Sequence, residues 1–278
     1  MDNPFVSTEW LADRLHAPAI VILDGSWYLP TANRKPLDEY LVGHLPGAVY
    51  FDMDEIADKS TGLPHMLPAP EVFAREVGRL GVGDGMTIVV YDESGLFSAP
   101  RVWWEFKAMG APDVRILDGG GAKWRAEGRP IESGPVVRPA ATFTARFHPE
   151  LVRDFADVKS AIASAGQIAD ARPAGRFAGR DPEPRAGLKS GHMPGAVSLP
   201  AMNLVANGGL KPMNELKAMF EAAGIDYDKP IITSCGSGAT AATLLLALSL
   251  AGAKDVALYD GSWAEWGARA DAEVVADQ

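Results

Sequence analysis

The chain has 278 residues, with 26 Lys and Arg against 36 Asp and Glu and a formal net charge of −10. This length suits two domains of ordinary size, and the acidic balance argues against nucleic acid as a partner. A single cysteine excludes an internal disulfide and suits a reducing compartment, so we expect a cytoplasmic protein.

The first half of the chain predicts strands that alternate with helices. An apolar run at 20–24 ends in Asp24 and is followed at 43–49 by the heptapeptide Gly-His-Leu-Pro-Gly-Ala-Val. A helical pattern and a glycine then precede the β-branched run 87–91, and the apolar run 114–117 leads into Asp-Gly-Gly. This order is typical of an α/β unit with a mostly parallel sheet.

The second half repeats these features in the same order. An apolar run ends in Asp170, residues 191–197 read Gly-His-Met-Pro-Gly-Ala-Val, and strand-like runs follow at 231–233 and 256–259. Each feature recurs 142 to 148 residues after its first copy, so the chain carries two copies of one unit. We expect an α/β fold of two tandem domains, each a mostly parallel sheet with helices on both faces.

Residues 131–149 are rich in Pro, Ser, Arg and Thr and lack a sustained period, which indicates a connecting segment. We expect an N-terminal domain over 1–136, a linker over 137–155 and a C-terminal domain over 156–278. When the strands that precede them are aligned, Asp92 of the first copy falls opposite Cys235 of the second. Only the C-terminal domain therefore carries a nucleophile.

One apolar segment, 230–253, contains no charged residue and is long enough to span a bilayer. Its proline, its glycines and its cluster of hydroxyl residues predict a strand, a loop and a buried helix instead. No membrane partner is expected.

The single cysteine lies where this strand gives way to a loop of small residues. Gly236 and Gly238 allow backbone N–H groups to converge on the sulfur, and a helix that begins near Ala239 directs its positive end there. Both effects favour thiolate over thiol, so we predict that Cys235 is a nucleophile. Phosphoryl chemistry is disfavoured because Ala241 stands where an arginine would be needed. One cysteine and five scattered histidines do not make a zinc or iron–sulfur site, and no metal or cofactor is expected.

Together these features resemble the two-domain rhodanese-like sulfurtransferases over about residues 8–269. The loop at 235–241, Cys-Gly-Ser-Gly-Ala-Thr-Ala, is similar to the Cys-Gly-Ser-Gly-Val-Thr-Ala loop of the 3-mercaptopyruvate sulfurtransferases. Thiosulfate-preferring members usually carry Arg-Lys after the cysteine, where this chain has Gly236 and Ser237. The resemblance implies transfer of sulfur from 3-mercaptopyruvate through a Cys235 persulfide to a small thiol, a thioredoxin-like protein or cyanide, with release of pyruvate.

The donor's α-keto acid group needs a fork of hydrogen-bond donors, which arginine supplies and lysine does not. The resemblance implies Arg176 and Arg185 as that pair. Of two alternatives nearby, Arg180 ranks lower and Arg172 is expected to pair with a structural carboxylate.

The loop itself is expected to bind charge on the sulfur. The N–H groups of Gly236, Gly238 and Ala239 and the hydroxyl of Thr240 would stabilise negative charge in both half-reactions.

The resemblance also implies that Ser237 works with a histidine and an acid of the first domain. His44 is the matching histidine, but Asn33 stands where the acid is expected. Either Asp38, the nearest carboxylate, takes its place or the triad does not form. The alternative is that His44 and its counterpart His192 both brace a turn. His65 lies in a loop that could border the cleft, and the sequence shows no partner for it.

Two other functions stay open. A thiosulfate:cyanide sulfurtransferase shares the persulfide, and a non-enzymatic sulfur-relay module would accept sulfur from a protein donor. The arginine pair favours a small anionic donor. The protein is expected to be a monomer.

Overall fold

The computed structural model describes residues 2–277, and each half of the chain forms a five-stranded sheet. The strands of the first sheet are β1 (Phe5–Val6), β2 (Ile20–Asp24), β3 (Val49–Tyr50), β4 (Thr87–Tyr91) and β5 (Val114–Leu117). They lie in the order β1-β5-β4-β2-β3, and every pairing is parallel. The helices of this half are α1 (Thr8–Ala12), α2 (Pro36–Val42), α3 (Pro70–Arg79), α4 (Ala99–Ala108) and α5 (Gly120–Ala126).

The second half repeats this topology. Its sheet contains β6 (Val152–Arg153), β7 (Gln167–Asp170), β8 (Val197–Ser198), β11 (Ile231–Ser234) and β12 (Val256–Tyr259). The order is β6-β12-β11-β7-β8, again parallel throughout. The helices are α6 (Phe155–Ala163), α7 (Ala174–Phe177), α8 (Met213–Ala222), α9 (Ala239–Ala251) and α10 (Ser262–Trp266). A small antiparallel pair, β9 (Val205–Ala206) and β10 (Gly209–Leu210), lies outside both large sheets.

Both faces of each large sheet are covered, as predicted. Because successive side chains of a strand point to opposite faces, β2 places Val21 and Leu23 in one apolar core and Ile20 and Ile22 in another. A third core covers the corresponding outer face of the second sheet. The predicted fold class, two tandem α/β units with parallel sheets, is confirmed.

The two halves share one of these cores. The largest apolar cluster contains residues of both sheets, and α4 of the first half packs against α9 of the second. Helix α9 is apolar around its whole circumference, so it can be buried between this neighbour and its own sheet. The segment 230–253 thus forms the predicted strand, loop and buried helix. Among residues 2–277, no helix is long and apolar enough to cross a membrane.

The predicted domain division stays a prediction, and the structure adds two observations on the segment 137–155. Phe143 packs edge-on against Phe73 and Phe106 of the first half, with ring centroids 5.8 and 5.9 Å apart. Strand β6 pairs with β12, so the second sheet begins inside the segment predicted as a linker.

Candidate active site

A cavity of about 340 Å³ opens at the carboxyl ends of the second sheet's strands and is closed on one side by the first half of the chain. Cys235, directly after β11, is one of the residues that line it. Ligands of parallel α/β sheets bind at this edge. The cavity is lined by Trp27, Leu29, Phe97, Ala171, Arg172, Pro173, Ala174, Arg176, Arg185, Pro200, Ala201, Met202, Asn203, Cys235, Gly236, Ser237, Ala239 and Thr240.

The loop that holds Cys235 is fixed from outside the cavity by α10. The N–H of Trp263 donates to the Cys235 carbonyl and the N–H of Ala264 to the Gly236 carbonyl, each at 2.9 Å. Because the carbonyl and the N–H of one peptide point in opposite directions, the N–H groups of Gly236 and Ser237 face away from α10. The Cys235 N–H donates to the Ser262 hydroxyl at 3.2 Å, and the residue is only 2% exposed.

In the first half, the loop that corresponds to the Cys235 loop binds a carboxylate. Asp92 follows β4 as Cys235 follows β11, and its carboxylate accepts four backbone N–H groups at 2.8 to 3.1 Å. These donors belong to Ser94, Leu96, Ser98 and Ala99. The loop after the central strand of the first unit is therefore an anion nest, and Asp92 fills it with its own side chain.

The two predicted substrate arginines converge beside the cysteine. A β-carbon placed on Gly236 would lie 3.1 Å from Arg176 Nη2 and 3.9 Å from Arg185 Nη1. Burial lowers the pKa of Arg185, and the nearby Cys235 and Asp54 oppose that shift. Arg176 is engaged on one side by the buried carboxylate of Glu183, with Nε 3.1 Å from Oε2. The structure thus brings together Cys235 and both arginines.

Of the remaining predicted loop residues, Ser237, Ala239 and Thr240 line the cavity and Gly238 does not. Ser237 and Ala239 are buried there, Thr240 is half-buried, and Gly238 is buried just behind them at the start of α9. Gly238 has φ +83°, a left-handed conformation that favours glycine.

Arg172 forms the structural ion pair predicted for it. Its guanidinium lies 2.6 Å from Asp170 and 2.8 Å from Glu183 and stacks over Trp263 at 3.9 Å. Glu183 therefore joins Arg172 to Arg176 and fixes the orientation of the cavity arginine. Arg180 is exposed and does not line the cavity.

His44 does not reach the cavity, so its predicted direct role is corrected. Its ring is fully buried, with Nδ1 2.9 Å from the Leu45 carbonyl and Nε2 3.0 Å from the Gly134 carbonyl. Its counterpart His192 similarly has Nδ1 2.9 Å from the Phe177 carbonyl. Both histidines brace backbone, which was the alternative interpretation. Asp38 is largely exposed and lies 3.6 Å from Lys35, so it does not supply the missing acid.

His65 is the histidine beside the site. Its Nδ1 lies 2.9 Å from Asp54 Oδ1, and its ring packs edge-on against the cavity residue Trp27, with centroids 4.6 Å apart. The Trp27 indole N–H donates to the other Asp54 oxygen at 2.9 Å. Burial lowers the pKa of His65, Asp54 opposes this, and the charges of Arg101 and Arg185 lower it further. Sequence reasoning missed the pair because Asp54 and His65 lie in irregular loops with no repeat counterpart.

A buried cysteine in a glycine loop, two arginines beside that loop and a histidine–aspartate pair packed against the cavity residue Trp27 together suit a cysteine nucleophile that acts on a small anion. The rhodanese-like domain pattern matches the chain twice, at residues 7–127 and 154–269. The chain belongs to the rhodanese-like family.

Several relatives share nearly the whole length of the chain. The 3-mercaptopyruvate sulfurtransferase of Escherichia coli strain K12 is 48% identical over 272 residues, which cover 97% of each chain. The thiosulfate sulfurtransferase of Bos taurus is 43% identical over 282 residues, covering 98% of this chain and 95% of the relative. The crystal structure of SseA from Escherichia coli, a 3-mercaptopyruvate sulfurtransferase with the rhodanese fold, superposes with a TM-score of 0.88 at 45% identity, covering 94% of this chain and 99% of SseA.

Proposed function

We propose that this protein is a 3-mercaptopyruvate sulfurtransferase that carries sulfur on Cys235. The observation that supports this most directly is the combination of two arginines beside Gly236 with a cysteine loop that holds no cation of its own. A fork of guanidinium groups suits the carboxylate and carbonyl of an α-keto acid. The family relatives named for this activity support the same donor.

In the first half-reaction, the Cys235 thiolate attacks the sulfur of 3-mercaptopyruvate. An S–S bond forms, the donor's C–S bond breaks, and its electron pair passes into the enolate of pyruvate. The cysteine sulfur is oxidised to the persulfide and the donor carbon is reduced, so no outside oxidant is required. One proton then converts the enolate to pyruvate.

His65 is our candidate for moving that proton. Neutral His65 accepts the proton released by the new persulfide and returns it to the enolate carbon, while Asp54 stabilises the transient imidazolium. The Ser237 hydroxyl lines the cavity and donates a hydrogen bond to the developing enolate oxygen. The persulfide anion remains against the N–H groups of the loop, as the Asp92 carboxylate does in the first unit.

The second half-reaction needs an external acceptor. Cys235 is the only cysteine of the chain, so no second thiol of the same chain can resolve the persulfide. A small thiol, a thioredoxin-like protein or cyanide attacks the outer sulfur, the S–S bond breaks, and Cys235 leaves as thiolate. This acceptor chemistry, a monomeric state and a cytoplasmic location belong to the proposal, and the lone cysteine suits the reducing conditions of that compartment.

Thiosulfate:cyanide sulfurtransferase is the second candidate, because the bovine thiosulfate sulfurtransferase is 43% identical to this chain. Both reactions use the persulfide, and the donor separates them. Gly236 and Ser237 provide no positive charge next to Cys235 for the thiosulfate dianion, which favours 3-mercaptopyruvate as the donor.

The test compares initial rates with 3-mercaptopyruvate and with thiosulfate, using cyanide as the common acceptor, for wild type and Cys235→Ser. We expect a strong preference for 3-mercaptopyruvate, no turnover by the variant, and a gain of one sulfur atom in the intact mass of wild type before acceptor is added. A preference for thiosulfate would favour the second candidate. Absence of turnover and of a sulfur adduct would favour the relay module.

Arg185→Lys tests the carboxylate assignment. Lysine keeps the charge but loses the fork, so we expect the KM for 3-mercaptopyruvate to rise on the order of tenfold, the equivalent of about 1.4 kcal/mol. Cyanide discharge of a preformed persulfide should keep its wild-type rate, because pyruvate has already left. Arg180→Lys, at the exposed arginine of the same segment, is the matched control. An equal fall in the discharge rate would contradict the assignment.

A further inference from the structure

A charged cluster is buried between the two halves, behind the cavity. Arg101 of α4 is fully buried, and its Nε lies 2.8 Å from Glu105 Oε1 one turn along the same helix. Its Nη1 lies 2.7 Å from Oδ1 of Asp260, which follows β12 in the second half. The guanidinium also stacks on Trp104, 4.5 Å from the ring centroid. Glu105 and Asp260 are almost completely buried as well.

This cluster holds the loop of His65 from both sides. Arg101 Nη2 donates to the His65 carbonyl, and the N–H of Leu67 donates to Asp260 Oδ2 at 2.7 Å. Asp260 therefore contacts Arg101 with one oxygen and the His65 loop with the other. The first half supplies the histidine, and the second half supplies the carboxylate that fixes it.

The backbone of His65 needs such restraint. Its φ is +59°, a left-handed conformation that costs a non-glycine residue roughly 1 kcal/mol or more and persists only when its surroundings hold it. Two hydrogen bonds, to the carbonyl of residue 65 and from the N–H of residue 67, fix the peptide on either side of Met66. They therefore fix the direction of the imidazole toward Asp54 and Trp27.

The same arginine touches the nucleophile loop. A β-carbon on Gly238 would lie 2.6 Å from Arg101 Nη1 and 3.3 Å from the Asp260 carbonyl. Gly238 is the residue before α9, three positions after Cys235. One guanidinium thus borders both the histidine loop and the cysteine loop.

Stability alone is a weak reason for this arrangement. A buried ion cluster commonly contributes no more to stability than apolar side chains of the same volume would, because desolvation offsets the attraction. Burial also raises the pKa of Glu105 to about 7, which weakens it as a counter-charge near neutral pH and leaves Asp260 as the main partner of Arg101. Apolar residues could not make the two directed hydrogen bonds, one to the carbonyl of residue 65 and one from the N–H of residue 67.

We propose that Arg101 and Asp260 are positioning residues that couple the two halves of the chain and hold His65 in register with the Cys235 loop. This inference rests on the proposed function for its kinetic consequence. Its geometric part, the orientation and charge environment of His65, does not depend on which donor the enzyme uses.

The kinetic test uses Arg101→Gln and Asp260→Asn, each alone and combined with His65→Asn. We expect each single variant to lower kcat for persulfide formation by about tenfold to a hundredfold, as misplacement of a catalytic group does. The KM for 3-mercaptopyruvate should stay near wild type, because Arg176 and Arg185 are untouched. In the His65→Asn background the same substitutions should cost little more, because the group they position is already absent.

Two matched variants separate positioning from folding. Arg115→Gln removes a half-exposed arginine that pairs with Asp113 away from the site, and it should leave kcat and KM unchanged. Arg101→Lys keeps the charge but cannot contact the His65 carbonyl and Asp260 together, so kcat should fall while the pKa of His65 changes little. Thermal denaturation of every variant identifies any loss caused by unfolding.

A direct readout is the pKa of the His65 ring, followed by NMR of histidine-labelled protein and assigned with His65→Asn. Removing the positive charge of Arg101 should raise this pKa in Arg101→Gln, because that charge lowers it in wild type. An unchanged pKa in the folded variant, or rate losses that add fully to that of His65→Asn, would overturn the proposal. Should wild type fail to turn over 3-mercaptopyruvate, the proposed function fails, and the NMR titration still decides whether Arg101 acts on His65.

Discussion

At the scale of single residues, the two units differ most at the position that follows their central strand. In the first unit Asp92 satisfies four N–H groups with its own carboxylate, so the nest is closed to any other anion. In the second unit the same position is Cys235, whose sulfur needs those donors only when it is charged. One side chain thus decides whether the nest is filled from within, and this difference is what led the sequence to predict the second copy as the catalytic one.

His65 and His44 make a matched pair for testing the acid–base assignment. His65→Asn should lower kcat on the order of 10²-fold, the loss expected for a positioned proton-transfer group. His44→Asn should leave kcat of the folded protein near wild type and lower its stability, because the ring contacts two backbone carbonyls and not the cavity. Steady-state kinetics with 3-mercaptopyruvate, together with urea denaturation, separates the two effects. A larger kinetic loss for His44→Asn than for His65→Asn would contradict this assignment.

The pH dependence of that rate follows from the environment of His65. Burial lowers its pKa below the ordinary 6.5, so the ring is neutral at pH 7. Activity that requires the neutral ring should fall as the pH drops through this lowered pKa, and His65→Asn should lack that acidic limb. The free energy of unfolding should fall with pH in the same direction. Below pH 6.5 the unfolded chain binds a proton at this histidine that the folded ring does not, so the folded state loses stability until the pH passes the lowered pKa.

At the scale of elements, α9 connects the loop of Cys235 to the core that both halves share. It begins at Ala239, four residues after Cys235, and packs between its sheet and α4. Because its sequence has no polar face, the burial of α9 could be predicted. The same pattern could not indicate which element it packs against. The contact with α4 depends on the arrangement of two units, and no local pattern specifies that.

Gly238→Ala tests whether the start of α9 is as constrained as the structure indicates. The φ of +83° costs alanine about 1 kcal/mol, and its β-carbon would meet Arg101 at 2.6 Å, so stability should fall by about 1 to 3 kcal/mol and persulfide formation should slow. Gly252→Ala at the other end of α9 is the control. Its φ is +112°, but no atom lies within 4 Å of the added carbon, so only stability should change. Urea denaturation and single-turnover rates give both values, and equal rate losses would refute the steric argument.

At the scale of the whole molecule, the duplicated order of motifs was enough to predict the tandem fold, because strand patterns and glycine motifs are local and occur twice. The group of residues around His65 was not predictable in the same way. Asp54, His65 and Trp27 come together through irregular loops, and Arg101 meets Asp260 across more than half the chain. The resemblance pointed to His44, whereas the repeat, through the counterpart His192, supplied the alternative that this histidine braces backbone.

The shared core makes a final prediction about cooperativity. Since residues of both sheets belong to one apolar cluster, neither unit can expose its inner face without exposing that of the other. Leu246→Ala, which truncates a fully buried residue of α9 in this cluster, should cost about 3 kcal/mol. Hydrogen exchange followed by mass spectrometry should then show a similar loss of protection in peptides covering β4 and β11, although the substitution lies in the second half only. Val42→Ala, at a position 82% exposed, should change neither peptide. Loss of protection confined to β11 would mean that the two units unfold separately and that the contact of α4 with α9 is too weak to couple them.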